Sequence, residues 1–570
     1  MAEEVWMLQT KKADFKQIGA RFRIDPVTAR IIRNRGIEGE AAIDRYLNGT
    51  LDDLYDPMLL KDMEHAVSIL CEAVDTGKKI RIVGDYDIDG VCSTYILLQA
   101  FERLGSDVDF EIPDRIKDGY GINESIIEQA HADGVEVILT CDNGISAFHQ
   151  VELAKKYGMT VVITDHHEVP LDGEKEKIPP ADAVIDPKQA DCPYPFPEIC
   201  GAVVAYKLVQ VLYARRGVPQ MDWLDLLEFA AIATVGDVMK LQDENRILVK
   251  YGLKKMAQTK NLGLRRLAEK NNLDLGAITA YHIGFVIGPC LNAGGRLKTA
   301  KEALALLRAQ SEEEAERLAE ELKELNDTRK DMTEQGTEAA KLQVESWYQK
   351  DKVLVVFLPE CHESLAGIIA GRLREYYQKP AIVLTRGEEA VKGSGRSIDE
   401  YHMFKKLTEV SDLLLKFGGH PLAAGLSLEE KNIDEFRRRL NENAGLTEED
   451  FKAKVWIDVP MPVGYVTERL VRELSCLEPF GQGNEKPLFA EKSLRIRASR
   501  VLGRNRNVVK MTLEETDGHA IEALYFGDGT AFEEERAGRR EIDVVYYPDI
   551  NEYNGRKTLQ AVIRRYKFRG

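Results

Sequence analysis

Three aspartates at alternating positions, Asp85, Asp87 and Asp89, are the residues whose type and spacing point most directly to chemistry. Carboxylates held so close together repel one another, and a bound cation is the usual way to neutralise them. A calcium loop of the EF-hand type is excluded, because the twelfth position counted from Asp85 is Ile96 where that loop requires glutamate. Taken alone, the segment indicates either a metal site or an acidic turn at the surface.

Other segments add further carboxylates and two imidazoles. Asp142 follows the apolar segment 135–140, the run 165–167 (Asp-His-His) follows 161–164, and Asp237 follows an apolar helix-like run. Two adjacent histidines beside an aspartate are more than a protein core ordinarily uses. Such a set could hold two divalent cations roughly 3.5–4 Å apart, which would activate water and stabilise a phosphoryl displacement. One imidazole among oxygen ligands favours Mn²⁺, with Mg²⁺ also possible.

The elements that would position these residues are short segments rich in Val and Ile. Residues 80–84, 135–140 and 161–164 have this composition and are flanked by turn residues, which predicts buried parallel strands joined by crossover helices. In open α/β sheets, ligands bind at the carboxyl ends of the strands. The sequence therefore predicts that three strands bring their carboxylates to one edge of a sheet.

A long helix is predicted from Ser311 to about residue 345. Ser311 and Glu314 form a capping box, and apolar residues then recur at helical spacing among Glu and Lys. The apolar stripe is narrow, so the helix either joins two domains or forms part of a bundle. A second α/β unit follows, with two Gly-rich segments, 393–397 and 418–420, interpreted as turns. From about residue 452, short alternating segments are typical of a small barrel.

Length and composition narrow the classes of function. A chain of 570 residues is too long for one hydrophobic core, so we expect about three or four domains. No apolar run approaches the ~20 residues that span a bilayer, and the N-terminus lacks the apolar region of a signal peptide, so a cytoplasmic location is expected. The eight cysteines include no CxxC pair, so a zinc site of the usual spacing is not expected.

The net charge of −17 argues against a general nucleic-acid coat protein. Local charge differs from this mean, because the stretch from Arg495 to Lys510 contains six basic residues and no acidic one. That stretch is either a solvated face or a local binding surface.

The order and spacing of the acidic motifs resemble those of the DHH phosphoesterases. The segments that carry the resemblance are 85–90, 141–144, 165–168 and 236–238. The resemblance implies that two metal ions are bound, with Asp142 bridging them, by Asp87, Asp89, Asp142, His166 and Asp237. It also implies that His167 faces the scissile phosphate, while Asp85 and Asp165 assist from outside the set of ligands.

Segments beyond the metal motifs are similar to the RecJ family within this superfamily. They are 112–115, 119–121, 288–296, 393–397, 417–420 and 478–484. This resemblance implies a single-strand-specific 5′→3′ exonuclease that releases 5′-mononucleotides in DNA repair and recombination. The residues expected at the 5′-phosphate end are Arg115, Asn292, Arg296, Ser394, Arg396 and His420. The three arginines are interpreted as lying in Gly-rich or Pro-bounded turns, and each alone could equally be an ordinary salt-bridge partner.

The resemblance also completes the expected architecture: an α/β protein whose parallel-sheet DHH domain is joined by a long helix to a second α/β DHH-associated domain, followed by an OB-type barrel. The expected ranges are 1–50 for an N-terminal helical segment, 51–300 for the DHH domain, 301–346 for the connecting helix, 347–452 for the DHH-associated domain and 453–570 for the barrel. OB-type barrels bind single strands through a positive groove and stacking aromatic residues, which gives the basic stretch a role.

The expected main partner is single-stranded DNA with a 5′ end. A single-strand-binding protein and a helicase are candidate partners, no membrane association is expected, and the chain is expected to be a monomer. Two other functions stay open. A DHH-type oligonucleotide or cyclic-dinucleotide phosphodiesterase predicts a shorter chain and leaves the basic region without a role. A non-catalytic single-strand-binding replication scaffold predicts eroded metal ligands, whereas every expected ligand is present.

Overall fold

The computed structural model describes residues 4–553 and 555–569. These residues form two compact units, each assembled from separated parts of the chain. The first unit contains Tyr55–Met239 and Tyr251–Ala453, and the second contains Val5–Leu54, Lys240–Lys250 and the residues from Lys454 on. Among the described helices, none combines the length and the apolar composition needed to cross a membrane.

A five-stranded parallel sheet forms the centre of the first half of the first unit. Its strands are β1 (Ile80–Val83), β2 (Val108–Glu111), β3 (Val137–Cys141), β4 (Thr160–Thr164) and β5 (Ala183–Ile185). They lie in the order β2-β1-β3-β4-β5, and every residue of β1, β3 and β5 is buried. The three strands predicted from the sequence are confirmed as β1, β3 and β4, with ends that differ by one or two residues.

Three helices of this half lie next to the predicted acidic residues. α1 (Ile88–Arg103) follows β1, α2 (Gly201–Arg216) follows β5, and α3 (Leu227–Gly236) ends at Asp237. α1 packs against both α2 and α3. The other helices are Met63–Asp75, Glu124–Ala132, Phe148–Lys156, Gln220–Leu224, Leu262–Lys270, Ala280–His282, α4 (Gly288–Leu297) and Lys301–Leu307. The helix Asp243–Met256 belongs to this unit only from Tyr251 on.

The predicted long helix is α5 (Glu312–Gln343), which has 32 residues. Ser311 caps its N-terminus and accepts a hydrogen bond from the Glu314 backbone N–H at 3.2 Å, so the predicted start is confirmed. α5 packs against Leu262–Lys270 and α4 and also against α6 (Ala366–Tyr377), which lies beyond it in the chain. The helix therefore both belongs to a bundle and joins the two halves of the first unit.

The second half of the first unit contains a mixed five-stranded sheet. Its strands are β6 (Leu354–Phe357), β7 (Ala381–Arg386), β8 (Val391–Arg396), β9 (Leu414–Gly419) and β10 (Ala423–Leu428), in the order β9-β10-β8-β7-β6. Only β6 and β7 pair in parallel. The helices Met403–Thr408 and Ile433–Glu442 complete this half.

The interpretation of two Gly-rich segments as turns is wrong. Gly393 to Arg396 lie inside β8, and the two glycines before His420 end β9, so only His420 lies in the connection to β10. Glycine serves close packing in β8, because a Cβ atom on Gly393 would lie 2.5 Å from the side chain of Leu384. Glycine is common both in turns and at such crowded strand positions, and the sequence pattern does not separate the two.

A closed five-stranded barrel forms the centre of the second unit. Its strands are β11 (Phe489–Leu502), β12 (Val508–Glu514), β13 (Ala520–Phe526), β14 (Glu541–Tyr553) and β15 (Arg556–Arg569). They lie in the order β11-β12-β13-β15-β14, and β14 pairs back with β11 to close the barrel. The helices Glu468–Leu474 and Gly529–Arg536 accompany them.

The N-terminal helices share the core of this barrel. These helices are Phe15–Phe22, Pro26–Asn34 and Glu40–Asn48. Ile31 and Ile32 are buried in one apolar cluster with Phe489 of β11. The segment Lys240–Lys250 packs with both the N-terminal helices and the barrel region. The buried Arg246 guanidinium donates hydrogen bonds to the Tyr46 carbonyl at 3.0 Å and to the carbonyls of Leu477 and Cys476. The segment predicted as a separate N-terminal element is thus part of the barrel unit.

Candidate active site

The loop after β1 places the first three aspartates at the start of α1. Asp87 is the N-cap, and its Oδ1 accepts hydrogen bonds from the backbone N–H groups of Asp89 at 3.0 Å and Gly90 at 3.2 Å. The Asp89 carboxylate in turn accepts from Gly201 at 2.7 Å and Ala202 at 2.8 Å, the first residues of α2. Two helix N-termini therefore face the acidic cluster, where their partial positive charge stabilises carboxylates.

Asp142 follows β3 in the left-handed region, with φ of +62°. The His166 Nε2 atom lies 3.1 Å from Asp142 Oδ1, 3.4 Å from Asp89 Oδ2 and 3.8 Å from Asp237 Oδ2. α2 approaches this point closely, because a Cβ atom on Gly201 would lie 2.7 Å from Asp142 Cβ. Side chains from β1, β3, β4 and the end of α3 thus meet at one edge of the sheet, as predicted.

Asp165 holds His167 rather than facing the cluster itself. Its Oδ1 lies 2.7 Å from His167 Nδ1 and accepts from the His166 backbone N–H at 2.8 Å, while its Oδ2 accepts from Ile145 N–H at 2.9 Å. Burial lowers the pKa of His167, but the hydrogen bond with Asp165 and the charges of Asp165, Asp237 and Asp89 together outweigh burial and raise that pKa to about 9. Nδ1 is therefore engaged by Asp165, whereas Nε2 has only the Tyr120 hydroxyl within hydrogen-bond distance among the described residues, at 3.2 Å.

In the metal-free protein, Asp165→Asn should lower the pKa of His167 from about 9, because it removes the hydrogen bond and the charge of Asp165 while those of Asp237 and Asp89 stay. A raised folded-state pKa means that protonated His167 stabilises the fold fully below pH 6.5 and that this contribution is lost as pH rises through about 9. We therefore expect wild type to lose stability relative to the variant across this window. NMR titration of the His167 ring and thermal unfolding with a chelator measure both effects.

The control for this experiment is Glu124→Gln, which removes the carboxylate beside the exposed His149. It should leave the His167 titration unchanged. An unaltered His167 pKa in Asp165→Asn would show that Asp165 does not control this imidazole.

The acidic cluster carries more negative charge than its own protein surroundings neutralise. Burial, followed by the charges of neighbouring aspartates, raises the pKa of Asp85, Asp87 and Asp142, and it raises that of Asp237 to about 8. His166 Nδ1 is buried without a hydrogen-bond partner in the described part of the chain, and the buried Asp142 Oδ1 has only His166 Nε2 nearby, at 3.1 Å. Oxygen-rich sites of this kind with one imidazole suit Mn²⁺ or Mg²⁺, so the residues fit the expected ions.

Ligand atoms converge in three groups within this cluster. In each group the ligand atoms lie within 4.8 Å of one another. The groups are Asp85 with Asp87 and Asp142, Asp89 with His166 and Asp237, and Asp142 with His166 and His167. Asp142 belongs to two of them, as expected of a bridging ligand. Asp85, expected to assist from outside, stands among the possible ligands.

Tyr120 is a site residue that the sequence reasoning missed. Its hydroxyl donates a hydrogen bond to the Asp142 carbonyl at 2.7 Å and lies 3.0 Å from His167 Nδ1. Gly119 and Gly121 both have positive φ, of +80° and +71°, which favours glycine. The turn that places Tyr120 at the site therefore needs a glycine on each side of it. The segment 119–121 carried this signal, because an aromatic residue between two glycines is unusual for a plain surface loop.

Three of the expected phosphate-binding residues form a group of arginines beside the carboxylates. Burial and then Arg115 lower the pKa of Arg296, to about 10, and burial and then neighbouring arginines, Arg115 among them, lower that of Arg396. Arg115 lies in a loop, with its guanidinium 4.4 Å from the ring centre of Tyr86, whereas Arg296 lies on α4 and Arg396 ends β8. The turn interpretation is thus wrong for Arg296 and Arg396, although the three charges are close.

The start of α6 meets this arginine group. The Arg396 guanidinium donates to Ser394 Oγ at 3.1 Å, and a Cβ atom on Gly367 would lie 2.9 Å from both of these side chains. Arg296 donates to the Ser364 carbonyl at 3.0 Å, just before the helix. Cations that repel one another beside a helix N-terminus make a site suited to an anion. Gly367 carries no local signal in the sequence that could have marked it.

Asn292 and His420 complete the expected set. Asn292 lies one turn before Arg296 on α4, and its Oδ1 is buried without a hydrogen-bond partner among the residues described. His420 is exposed and comes close enough to Glu168, next to His167, to contribute to lowering the pKa of Glu168, although the hydrogen bond from Lys188 is the main cause. The structure therefore groups Arg115, Arg296, Arg396 and Ser394, and it places His420 near Glu168.

Comparison with known families matches most of the chain. Residues 79–234 match the DHH family, N-terminal domain, residues 350–445 match the DHHA1 domain, and residues 457–565 match the RecJ OB domain. Each match falls inside one of the ranges expected from the sequence.

Two curated relatives cover nearly the whole chain. The single-stranded-DNA-specific exonuclease RecJ of Bacillus subtilis (strain 168) is 36% identical over 564 residues, which are 98% of this chain and 70% of the relative. The single-stranded-DNA-specific exonuclease RecJ of Escherichia coli (strain K12) is 34% identical over 563 residues, 95% of each chain.

Solved structures show the same fold. RecJ of Thermus thermophilus in complex with Mn²⁺ has a TM-score of 0.84 and 28% identity, covering 99% of this chain and 79% of that chain. The complex of the same protein with Mg²⁺ has a TM-score of 0.77 and 27% identity, covering 99% and 78%. The expected fold class and the two expected metal ions agree with these structures.

Proposed function

Because this chain belongs to the RecJ family of single-stranded-DNA-specific exonucleases, we propose that it hydrolyses single-stranded DNA from the 5′ end and releases 5′-mononucleotides, in DNA repair and recombination. It is a metal-dependent phosphodiesterase. The observation that carries the proposal is the position of Asp142, whose carboxylate belongs to two converging groups of ligand atoms. Beside it lie arginines that lower one another's pKa and form no salt bridge with another described residue.

We assign Asp89, Asp142, His166 and Asp237 to one metal ion, and Asp85, Asp87 and Asp142 to the other. When bound, two divalent cations would supply an activated water and neutralise charge on the scissile phosphate. The assignment moves Asp85 from an assisting role to that of a ligand. It is supported by the 3.1–3.8 Å distances from His166 to the three carboxylates of the first set.

His167 has a different role, which is to contact the phosphate. Asp165 contacts His167 Nδ1 at 2.7 Å. The Tyr120 side chain restrains the imidazole ring, and the ring centres of Tyr120 and His167 are 5.4 Å apart. A protonated imidazole held in this way donates its Nε2–H to a phosphate oxygen and stabilises charge that develops on it. Tyr120 and Asp165 are therefore positioning residues.

The arginine group is proposed to bind the terminal 5′-phosphate. A terminal phosphate carries more negative charge than an internal one, and Arg115, Arg296 and Arg396 with the N-terminus of α6 can bind it through charge-assisted hydrogen bonds. Ser394, Asn292 and His420 surround the same cleft. Because this group lies beside the carboxylates, a strand bound by its 5′ end would present its first internal phosphate to the metal site.

Substrate choice tests the proposal directly. With Mn²⁺, the enzyme should degrade a long single-stranded DNA oligomer far faster than a dinucleotide or pyrophosphate, and a duplex of the same sequence should resist. Faster hydrolysis of the dinucleotide would instead indicate the oligonucleotide phosphodiesterase. The absence of Mn²⁺-dependent cleavage of every substrate would indicate the non-catalytic scaffold.

We further propose that the barrel holds the rest of the strand. In the basic stretch, Arg497 and Lys510 pair with Glu514 and Glu522. Arg495 and Arg500 on β11 are exposed, and neither forms an ion pair with another described residue, so they remain available for phosphates. Deleting the barrel would be a poor test, because the N-terminal helices share its core.

The double variant Arg495→Glu/Arg500→Glu should bind long single-stranded DNA more weakly than wild type. The slope of log affinity against log salt should become shallower by about 0.7 for each phosphate that the variant no longer binds. Fluorescence anisotropy at several salt concentrations measures both quantities. Lys156→Glu/Lys350→Glu, two exposed residues of the first unit, is the charge-matched control. Equal effects of the two double variants would mean that the basic stretch acts only through net charge.

Several further features stay proposals. The limits 51–300, 301–346, 347–452 and 453–570 are proposed for the domains, except that residues 5–54 and 240–250 are assigned to the barrel unit. A helicase and a single-strand-binding protein are proposed partners, because a single-strand-specific enzyme acts on duplex DNA only after unwinding. We also propose that the protein acts as a monomer in the cytoplasm.

A further inference from the structure

A second cavity lies at the opposite ends of the helices that carry the metal ligands. Its volume is about 390 Å³, and it is lined by Tyr95 on α1 and Glu228 on α3. α1 begins at the Asp87–Asp89 cluster, and α3 ends at Asp237. At 1.5 Å per helical residue, the cavity is about 9 Å from Asp89 along α1 and about 13 Å from Asp237 along α3. It is therefore separate from the active site.

The floor of the cavity contains a carboxylate oxygen without a partner. Glu228 is 3% exposed, and its Oε1 accepts a hydrogen bond from Thr259 Oγ1 at 2.7 Å. Its Oε2 is buried and has no hydrogen-bond partner among the residues that the structure describes. An unpaired buried acceptor is costly, so this oxygen is suited to a ligand that donates a hydrogen bond. Burial accordingly raises the pKa of Glu228 to about 7.

A hydrogen-bond donor and an aromatic wall lie next to this oxygen. The Tyr95 hydroxyl accepts a hydrogen bond from Asn261 Nδ2 at 3.1 Å, which leaves its own proton to donate. The rings of Tyr95 and Phe229 have centres 4.3 Å apart, and both line the cavity. The floor therefore offers one acceptor and one donor beside an aromatic surface, a combination that suits the edge and face of a nucleobase.

The mouth of the cavity is more basic than acidic. It is lined by the cationic residues Arg103, Lys255, Lys260 and Arg308 and the acidic residues Asp222 and Asp225. Arg103 pairs with Asp222, Lys255 and Lys260 both pair with Asp225, and Arg308 pairs with Glu102, so four cations share three carboxylates. An excess of cations here, on a chain with a net charge of −17, favours an anionic group at the mouth.

We propose that this cavity is a second nucleotide site, which binds a nucleoside monophosphate with its base at Glu228 and Tyr95 and its phosphate at the basic mouth. The volume lies in the range of small-molecule sites. The base donates an N–H to Glu228 Oε2 and accepts from the Tyr95 hydroxyl. This inference does not depend on the polarity or the substrate of the exonuclease.

The test is calorimetric titration of the full-length chain with dAMP in the presence of a chelator. All titrations use the Arg396→Ala background, which removes the proposed 5′-phosphate site. We expect one bound dAMP, and we expect Glu228→Gln to weaken binding at least about tenfold, because the amide presents a donor where the base also donates. Deoxyribose 5-phosphate, which lacks the base, should bind much more weakly than dAMP. Undiminished binding in Glu228→Gln would overturn the proposal.

A variant at an exposed residue tests the same site in case Glu228→Gln, at a buried residue, misfolds. The Lys260 side chain is 80% exposed, so Lys260→Glu should fold normally and weaken dAMP binding by repelling its phosphate. Lys254→Glu, at an exposed position of the helix Asp243–Met256 that does not line the cavity, is the matched control. Equal effects of these two variants would contradict a phosphate at the mouth. Comparing dAMP with AMP distinguishes the reaction product from the cellular ribonucleotide pool as the source of the ligand.

Discussion

Asp142→Asn should reduce Mn²⁺-dependent hydrolysis of single-stranded DNA by at least about 1000-fold, a barrier increase of roughly 4 kcal/mol. The reason is geometric: Asp142 is the carboxylate common to the group containing Asp85 and Asp87 and to the group containing His166. An amide at this position weakens both metal sites together. Binding of long single strands should persist, because the proposed contacts on the barrel are untouched.

A measurement independent of activity accompanies this prediction. Burial and neighbouring carboxylates raise the pKa of Asp142, so its charge destabilises the metal-free fold. In the presence of a chelator, Asp142→Asn should therefore unfold at a higher temperature than wild type. When Mn²⁺ is added, the unfolding temperature of Asp142→Asn should rise less than that of wild type.

The matched control is Asp182→Asn, the same chemical change in a carboxylate that pairs with Lys155 away from the cluster. It should leave both hydrolysis and the Mn²⁺-induced stabilisation near the wild-type values. Robust hydrolysis by Asp142→Asn, or an undiminished response to Mn²⁺, would show that Asp142 is not a shared ligand.

Arg396→Ala should remove most of the preference for a 5′-phosphate over a 5′-hydroxyl. A hydrogen bond to a charged group contributes about 1.5–3 kcal/mol, so the rate on 5′-phosphorylated oligomers should fall roughly 10- to 150-fold. The rate on 5′-hydroxyl oligomers should change little, because that end lacks the group that Arg396 binds. Digestion of oligomers labelled at either end measures the rates and the direction together.

Arg386→Ala provides the control, because Arg386 ends the neighbouring strand β7 and is half-exposed at a surface ion pair with Glu430. It should behave like wild type on both substrates. If Arg396→Ala slows both substrates equally, Arg396 binds the strand generally rather than its end. Degradation from the 3′ end by wild type would contradict the whole arginine site.

The catalytic edge was predictable because its signals are local. A short apolar strand followed at once by Asp85, Asp142 or Asp165 is visible in the sequence, and the carboxyl ends of parallel strands must share an edge. The need for glycine at position 201 was not predictable. It arises only because the start of α2 packs closely against Asp142, a contact between segments far apart in the sequence. The conformation of the segment 393–397 depended likewise on which neighbouring strands crowd its glycines.

Residue roles were harder to predict than residue positions. Asp85 and Asp165 both follow strands and looked equivalent, but Asp85 converges with other possible ligands whereas Asp165 is engaged by His167 and backbone N–H groups. Arg296 was expected in a turn but lies on a helix, where the preceding Gly295 permits close packing, since a Cβ atom there would clash with the Tyr86 carbonyl. Such distinctions arise from packing between segments far apart in sequence.

The shared core of the barrel unit has a consequence for how the chain is made. Asp25 N–H donates a hydrogen bond at 2.6 Å to Glu473, 448 positions later, and Arg35 pairs with Asp458. At 5–20 residues per second, a ribosome needs on the order of 20–90 s to reach the partners of helices that emerged first. During translation the apolar faces of these helices, including Ile31 and Ile32, therefore lack their barrel partners until the last fifth of the chain has been synthesised.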